Sequence, residues 1–101
     1  MIKIALCCSA GMSTSMLVKK MQQSAQEKGI EAEINAYPIS DFDDVIEQND
    51  VCLLGPQVRF KLAEFQEKAK SYGKPVDSID PMQYGMMQGD KVLDAAINLI
   101  S

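Results

Sequence analysis

Apolar residues along this chain follow two alternating rhythms. Ile2 to Cys7 (IKIALC) is a short run, rich in β-formers, of the kind a buried strand requires. From Ser13 or Ser15 onward, Leu17, Met21 and Ala25 recur at helical spacing and give one helix face that ends near Gly29. Ile30, Ala32, Ile34 and Ala36 then alternate with Glu31, Glu33 and Asn35, the pattern of a half-exposed strand at a sheet edge. Ser40 or Asp41 is placed to cap a short acidic helix carrying Phe42, Val45 and Ile46. Val51 to Leu54 (VCLL) is wholly apolar and is stopped by Gly55-Pro56. Val58, Leu62, Phe65 and Ala69 form another helical stripe that ends before Gly73, and Val76 to Ile79 is a short strand. Leu93, Ala96, Ile97 and Ile100 mark a last helix from about Gly89.

Strand and helix therefore alternate four times along the chain, which predicts an α/β fold: a four-stranded, parallel sheet with helices on both faces. A switch point beside the first strand gives the strand order 2-1-3-4. The 101 residues suit one domain spanning 1–101, with 47% apolar and 24% charged residues as in ordinary globular chains. A formal net charge of -4 argues against a nucleic-acid partner, which calls for a basic surface. No apolar run approaches the roughly 18 residues that span a bilayer. The apolar part of the N-terminus is shorter than a signal-peptide core, so it reads as a buried strand.

Cysteines stand at positions 7, 8 and 52, an odd number without a C-x-x-C pair, which predicts free thiols in a reducing, cytoplasmic setting. The chain has no histidine, so a zinc site is not expected and the commonest general base is missing. Any imidazole in the chemistry must come from a partner. Neither a metal nor a cofactor is expected.

In a sheet of this kind, ligands bind beyond the carboxyl ends of the strands. Three loops are expected there: Cys8 to Ser15, Gly55 to Arg59 and Asp80 to Gly85. The first carries the most chemistry. Its small residues allow backbone N–H groups to approach a tetrahedral anion, and the helix that follows adds its positive N-terminal dipole. Ser9, Ala10, Gly11, Met12, Ser13, Thr14 and Ser15 are the expected phosphate-binding positions, four of them with hydroxyls. The same donors stabilise a thiolate at the loop's start. Side chains alternate along a strand, so Cys7 and Cys8 point to opposite faces. Cys7 continues the buried strand and Cys52 lies inside VCLL, where a cysteine is a small hydrophobe. Cys8 is the candidate nucleophile.

The spacing from Cys8 resembles C-x5-R-[ST], the phosphate loop of low-molecular-weight tyrosine phosphatases, and Asp80-Pro81 resembles their general-acid Asp-Pro. The arginine slot, however, holds Thr14. Without the guanidinium, a phosphoryl group in transfer loses its bidentate clamp, which disfavours hydrolysis. The only arginine, Arg59, follows another strand. A Cys8-dependent hydrolase is the alternative reading.

A second pattern fits better. CSAGMSTSMLV, LLGPQV after the third strand, KPV before the fourth and the segment from ID to YG before the last helix together resemble the IIB component of the sugar phosphotransferase system, lactose/cellobiose (chitobiose) family. The likeness runs over essentially the whole chain. It implies a phosphoryl carrier in which a phosphohistidine of a IIA protein donates to Cys8. The phosphate then passes to a β-linked disaccharide held by a membrane IIC protein. Met12 and Met16 form either a partner patch or packing around the loop. Gly55-Pro56-Gln57 either lines the site or simply turns the chain, and Tyr84 either approaches the loop or packs at the sheet rim. The acidic residues at 41, 43, 44 and 47 read as a solvated face.

Overall fold

A computed structural model describes residues 1–9 and 12–100, Met12 and Ser13 by their backbone alone. Four strands, β1 (Ile2–Cys8), β2 (Ala32–Pro38), β3 (Val51–Leu54) and β4 (Val76–Ser78), form one sheet in the order β2-β1-β3-β4. All three pairings are parallel, with Leu6 opposite Ala36 on one side and Leu53 on the other. The expected architecture and order are therefore observed. The helices α1 (Met12–Glu27), α2 (Phe42–Gln48), α3 (Leu62–Lys70), α4 (Pro81–Gly85) and α5 (Gly89–Ile100) complete the fold.

Period-2 alternation along the strands sorts the core onto two faces. Ile4 and Leu6 of β1 join Ile34, Val51 and Leu53 beneath Leu17, Val18 and Met21 of α1 and Val92, Leu93 and Ala96 of α5. Ala5 and Cys7 join Cys52, Leu54 and Val76 beneath Phe42, Val45 and Ile46 of α2 and Phe65 and Ala69 of α3. Across that second layer the rings of Phe42 and Phe65 stack with centroids 3.9 Å apart. The edge strands are covered by glutamines from helices: Gln22 Nε2 donates to the Ile34 carbonyl at 2.9 Å, and Gln66 Nε2 to that of Val76 at 2.9 Å. These bonds occupy edge acceptors that would otherwise invite a further strand.

Helix ends follow local chemistry. Gly29 and Gly73 adopt φ of 69° and 65°, and the N–H of the residue after each returns to a carbonyl in the last helical turn, Ile30 to Ala25 and Lys74 to Ala69. That left-handed closure needs glycine at both positions. Lys74 Nζ also donates to the Ile46 and Glu47 carbonyls, placing a cation at the negative end of α2.

Local expectations needed correction in several places. Asp41 occupies the N-cap of α2 without a side-chain capping bond, because a 3₁₀ turn (Ile39–Asp41) leads into the helix. Val58 lies in a second 3₁₀ segment (Pro56–Lys61), where φ of -116° interrupts the helix before α3. Asp80 to Gly85 is not a loop: Pro81 opens α4, and the Asp80 carboxylate caps it by accepting from the Met82 and Gln83 N–H groups at 2.8 and 3.2 Å. Among the described residues, no helix is long and apolar enough to cross a membrane.

The two-layer core predicts a sharp contrast between two phenylalanines. Phe42 is 2% exposed and Phe60 77% exposed. Phe42→Ala should cost about 3–5 kcal/mol in denaturant melts, whereas Phe60→Ala should stay within about 0.5 kcal/mol of the parent. Similar costs for the two would contradict the packing.

Candidate functional site

β1 is the central strand at the switch point, hydrogen-bonded on both sides, and the chain leaves it at Cys8 to begin α1 at Met12. Cys8 is the last residue of the strand rather than the first of a loop, and it is 1% exposed. On one side it pairs with Pro38 of β2. On the other, the Gly55 N–H continues the ladder to the Cys7 carbonyl at 2.8 Å. A Cβ at position 55 would stand 3.4 Å from the Cys8 Cβ and 2.6 Å from Gln57 Oε1. Glycine there keeps the wall beside the thiol thin, a use that its turn-forming role does not reveal.

Of the expected phosphate positions, Ala10 and Gly11 lie outside the described residues. Ser9 is exposed just beyond the strand. Met12, Ser13, Thr14 and Ser15 form the first turn of α1, so their backbone N–H groups belong to the positive end of that helix. Ser15 is exposed, whereas Thr14 is fully buried. Thr14 Oγ1 lies 3.2 Å from the Tyr84 hydroxyl, which also accepts a hydrogen bond from Gln57 Nε2 at 3.1 Å. The three predicted segments thus meet at the carboxyl end of the sheet, and Tyr84 joins the other two. Met16 is exposed, not packed, and Phe60, Met82 and Met86 are exposed on elements at the same end. Arg59 is exposed in the turn after β3.

One relation escaped the sequence reading. Cys7 and Cys52 share the α2–α3 face, and their sulfurs approach to 3.3 Å within the core as free thiols. The register that pairs Ala5 with Cys52 puts Cys7 two residues further along on the same face; this follows only once the strands are known to be neighbours. Hydrogen bonding with Cys7, then burial, then the charge of a Cys7 thiolate push the Cys52 thiol well above its usual range.

Comparisons with known proteins identify the family and the fold. Residues 3–95 match the family model described as the lactose/cellobiose-specific IIB subunit of the sugar phosphotransferase system. The chain belongs to this family. It is similar to the galactose-specific IIB component of Lactococcus lactis subsp. cremoris, with 50% identity over 97% of this chain and 95% of that one. The cellobiose-specific component of Lactococcus lactis subsp. lactis gives the same identity and coverage, 50%, 97% and 95%. The solution structure of a cellobiose-specific IIB component from Borrelia burgdorferi superposes with a TM-score of 0.81 at 42% identity, covering 98% of this chain and 91% of that one. As a IIB subunit, the chain is a component of a phosphotransferase system for sugars of the lactose/cellobiose type.

The buried sulfur pair predicts an alkaline weakness. Folded Cys52 keeps its proton at pH values where the unfolded chain releases it. Below the unfolded thiol value of about 8.5 both states hold the proton and the contribution is complete. Above it the unfolded state binds fewer protons, so stability falls as pH rises. Urea melts from neutral to alkaline pH should show a steeper decline for the parent than for Cys52→Ala. Parallel curves would contradict the pairing.

Proposed function

We propose that Cys8 is the phosphoryl-carrying residue of this IIB subunit. The observation that carries the reading is a thiol at the end of the central strand, followed at once by the N-terminal turn of α1. Family membership and the conjunction of small residues and hydroxyls between them support it.

The Cys8 thiolate attacks the phosphorus of a phosphohistidine on a IIA protein. A sulfur–phosphorus bond forms, the nitrogen–phosphorus bond breaks, and the freed imidazole takes up a proton. Backbone N–H groups from Ser9 through Ala10, Gly11, Met12, Ser13, Thr14 and Ser15 cradle the phosphoryl oxygens, and the dipole of α1 offsets their charge. In the second step a hydroxyl of a β-linked disaccharide, held by the membrane IIC protein, attacks the phosphorus. The thiolate departs as the sulfur–phosphorus bond breaks, and the sugar hydroxyl's proton passes to a base of the IIC protein or to solvent, because this chain has no histidine to take it. Met16, Phe60, Met82 and Met86 supply an adaptable apolar rim for these partners. The subunit acts as one domain over 1–101 in the cytoplasm. The hydrolase alternative has less support, because Thr14 replaces the arginine clamp.

Incubation with phosphoenolpyruvate, the general phosphotransferase proteins and the cognate IIA should place one phosphate on the Cys8 peptide, read by mass spectrometry. Cys8→Ser should abolish it, while Cys7→Ser should retain it. Phosphate on another residue, or sustained turnover of an aryl phosphate, would overturn the assignment.

A further inference from the structure

Three segments far apart in sequence meet at one phenol. Thr14 lies in the first turn of α1, Gln57 in the turn after β3, and Tyr84 in α4. Gln57 Nε2 donates to the Tyr84 hydroxyl at 3.1 Å, and that hydroxyl lies 3.2 Å from Thr14 Oγ1. The environments of the three differ in a telling way. Thr14 is fully buried, Tyr84 is half-buried and Gln57 is exposed, so the chain of contacts runs from the core of the site outward to the rim.

The elements on each side are themselves anchored. α4 is pinned at its start by the Asp80 cap and continues through the Met87 turn into α5, whose Val92, Leu93 and Ala96 pack with α1 in the same core layer. The turn after β3 is fixed through the Gly55–Cys7 backbone bond. Of the elements meeting at Tyr84, α1 is the one whose first turn carries the expected anion donors. Ring packing alone would hold Tyr84 at the rim; the hydroxyl adds direction, because hydrogen bonds weaken steeply when misaligned.

We propose that Tyr84 is a positioning residue: through its hydroxyl it ties the first turn of α1 to the Gln57 turn and so fixes that turn's backbone N–H groups relative to Cys8. This rests on the carrier reading given above and adds to it a residue outside the cradle. Tyr84 acts through Thr14, whose buried hydroxyl serves the cradle's placement, and through Gln57, which holds the phenol from the solvent side. Transfer between two proteins demands that donor phosphorus, thiolate and cradle be aligned at once, and small misplacements at such centres are costly in rate.

Tyr84→Phe tests this directly, since it keeps the ring and removes only the oxygen. Two readouts move in opposite directions. Phosphoryl transfer from the phosphorylated IIA protein should slow about 10- to 100-fold in turnover, while the KM for IIA stays close to the parent value. Alkylation of Cys8 by iodoacetamide should accelerate several-fold, because Cys8 is almost fully covered and reacts through local opening of the segment that the tie restrains. Thr14→Val should behave alike, and the double variant should be no worse than either single one, as coupled partners require. Cys7 and Cys52, buried in the other layer, report global unfolding by their own labelling.

Parent-like transfer and alkylation in Tyr84→Phe would overturn the proposal, as would a rise in KM with turnover unchanged. Should Tyr84→Phe expose Cys7 and Cys52, Gln57→Leu removes the outer bond from an exposed position, and the same two readouts decide. If the parent protein takes no phosphate on Cys8, the carrier reading fails, and the alkylation rates alone decide whether the tie exists.

Discussion

A parallel strand bonded on both sides and covered on both faces leaves the chain very little freedom at its carboxyl end. β1 meets that description: it pairs with β2 and β3, and its alternate side chains enter the two core layers. Its backbone polar groups are committed to the ladders, so the strand cannot shift without breaking bonds on two sides at once. Everything attached to its end inherits that rigidity. Cys8 is therefore held at the end of a doubly bonded strand, with the turn after β3 beside it and α1 beginning at Met12. The fold supplies position first, and the loops supply chemistry to a fixed point.

The two faces of the sheet serve that point differently. The α1–α5 layer contains the helix whose amino end faces the site, and it packs Leu17, Val18 and Met21 against Ile4 and Leu6. The α2–α3 layer contains the Phe42–Phe65 stack and the Cys7–Cys52 sulfur pair. Adjacent cysteines thus enter unlike surroundings by a one-residue step along a strand. Cys7 is enclosed beside a thiol that holds its proton, whereas Cys8 sits where the strand meets the helix terminus. Two identical side chains meet different surroundings because the pleat turns them to opposite faces.

Much of this was legible in the chain because it rests on local pattern. The VCLL run, the alternation from Ile30 to Ala36 and the four-residue spacing from Leu17 to Ala25 each state a period, and the period states the element. Strand order followed from alternation and handedness rules. The missed features are of another kind. The 3₁₀ segment after Pro56 and the short α4 lack enough residues to show a period, so cap and turn chemistry decides them. The Cys7–Cys52 approach depends on register between strands 45 residues apart, and the Thr14–Tyr84 bond on a separation of 70. Such contacts are properties of the assembled sheet. Asp80 before Pro81 was the available signal for α4, since an aspartate preceding proline marks a capped helix start as readily as a catalytic loop.

Position 14 joins these threads. In the phosphatase loop that this segment resembles, the corresponding slot holds an arginine whose fork grips the phosphoryl oxygens. A guanidinium there must face the ligand, and it stabilises attack by water as well as by the cysteine. Here the slot holds a threonine that is fully buried, with its hydroxyl 3.2 Å from that of Tyr84. The change removes a positive charge and also joins the side chain to the scaffold. A carrier benefits from both effects. Its phosphoryl group must remain attached through dissociation from one protein and docking to another, so transition-state stabilisation available to water would be a loss. Backbone donors of the first turn of α1 hold the anion on the carrier reading, and the rigidity of that turn replaces the clamp. On the carrier reading, the substitution that weakens hydrolysis and the bond that orders the cradle are two consequences of the same residue.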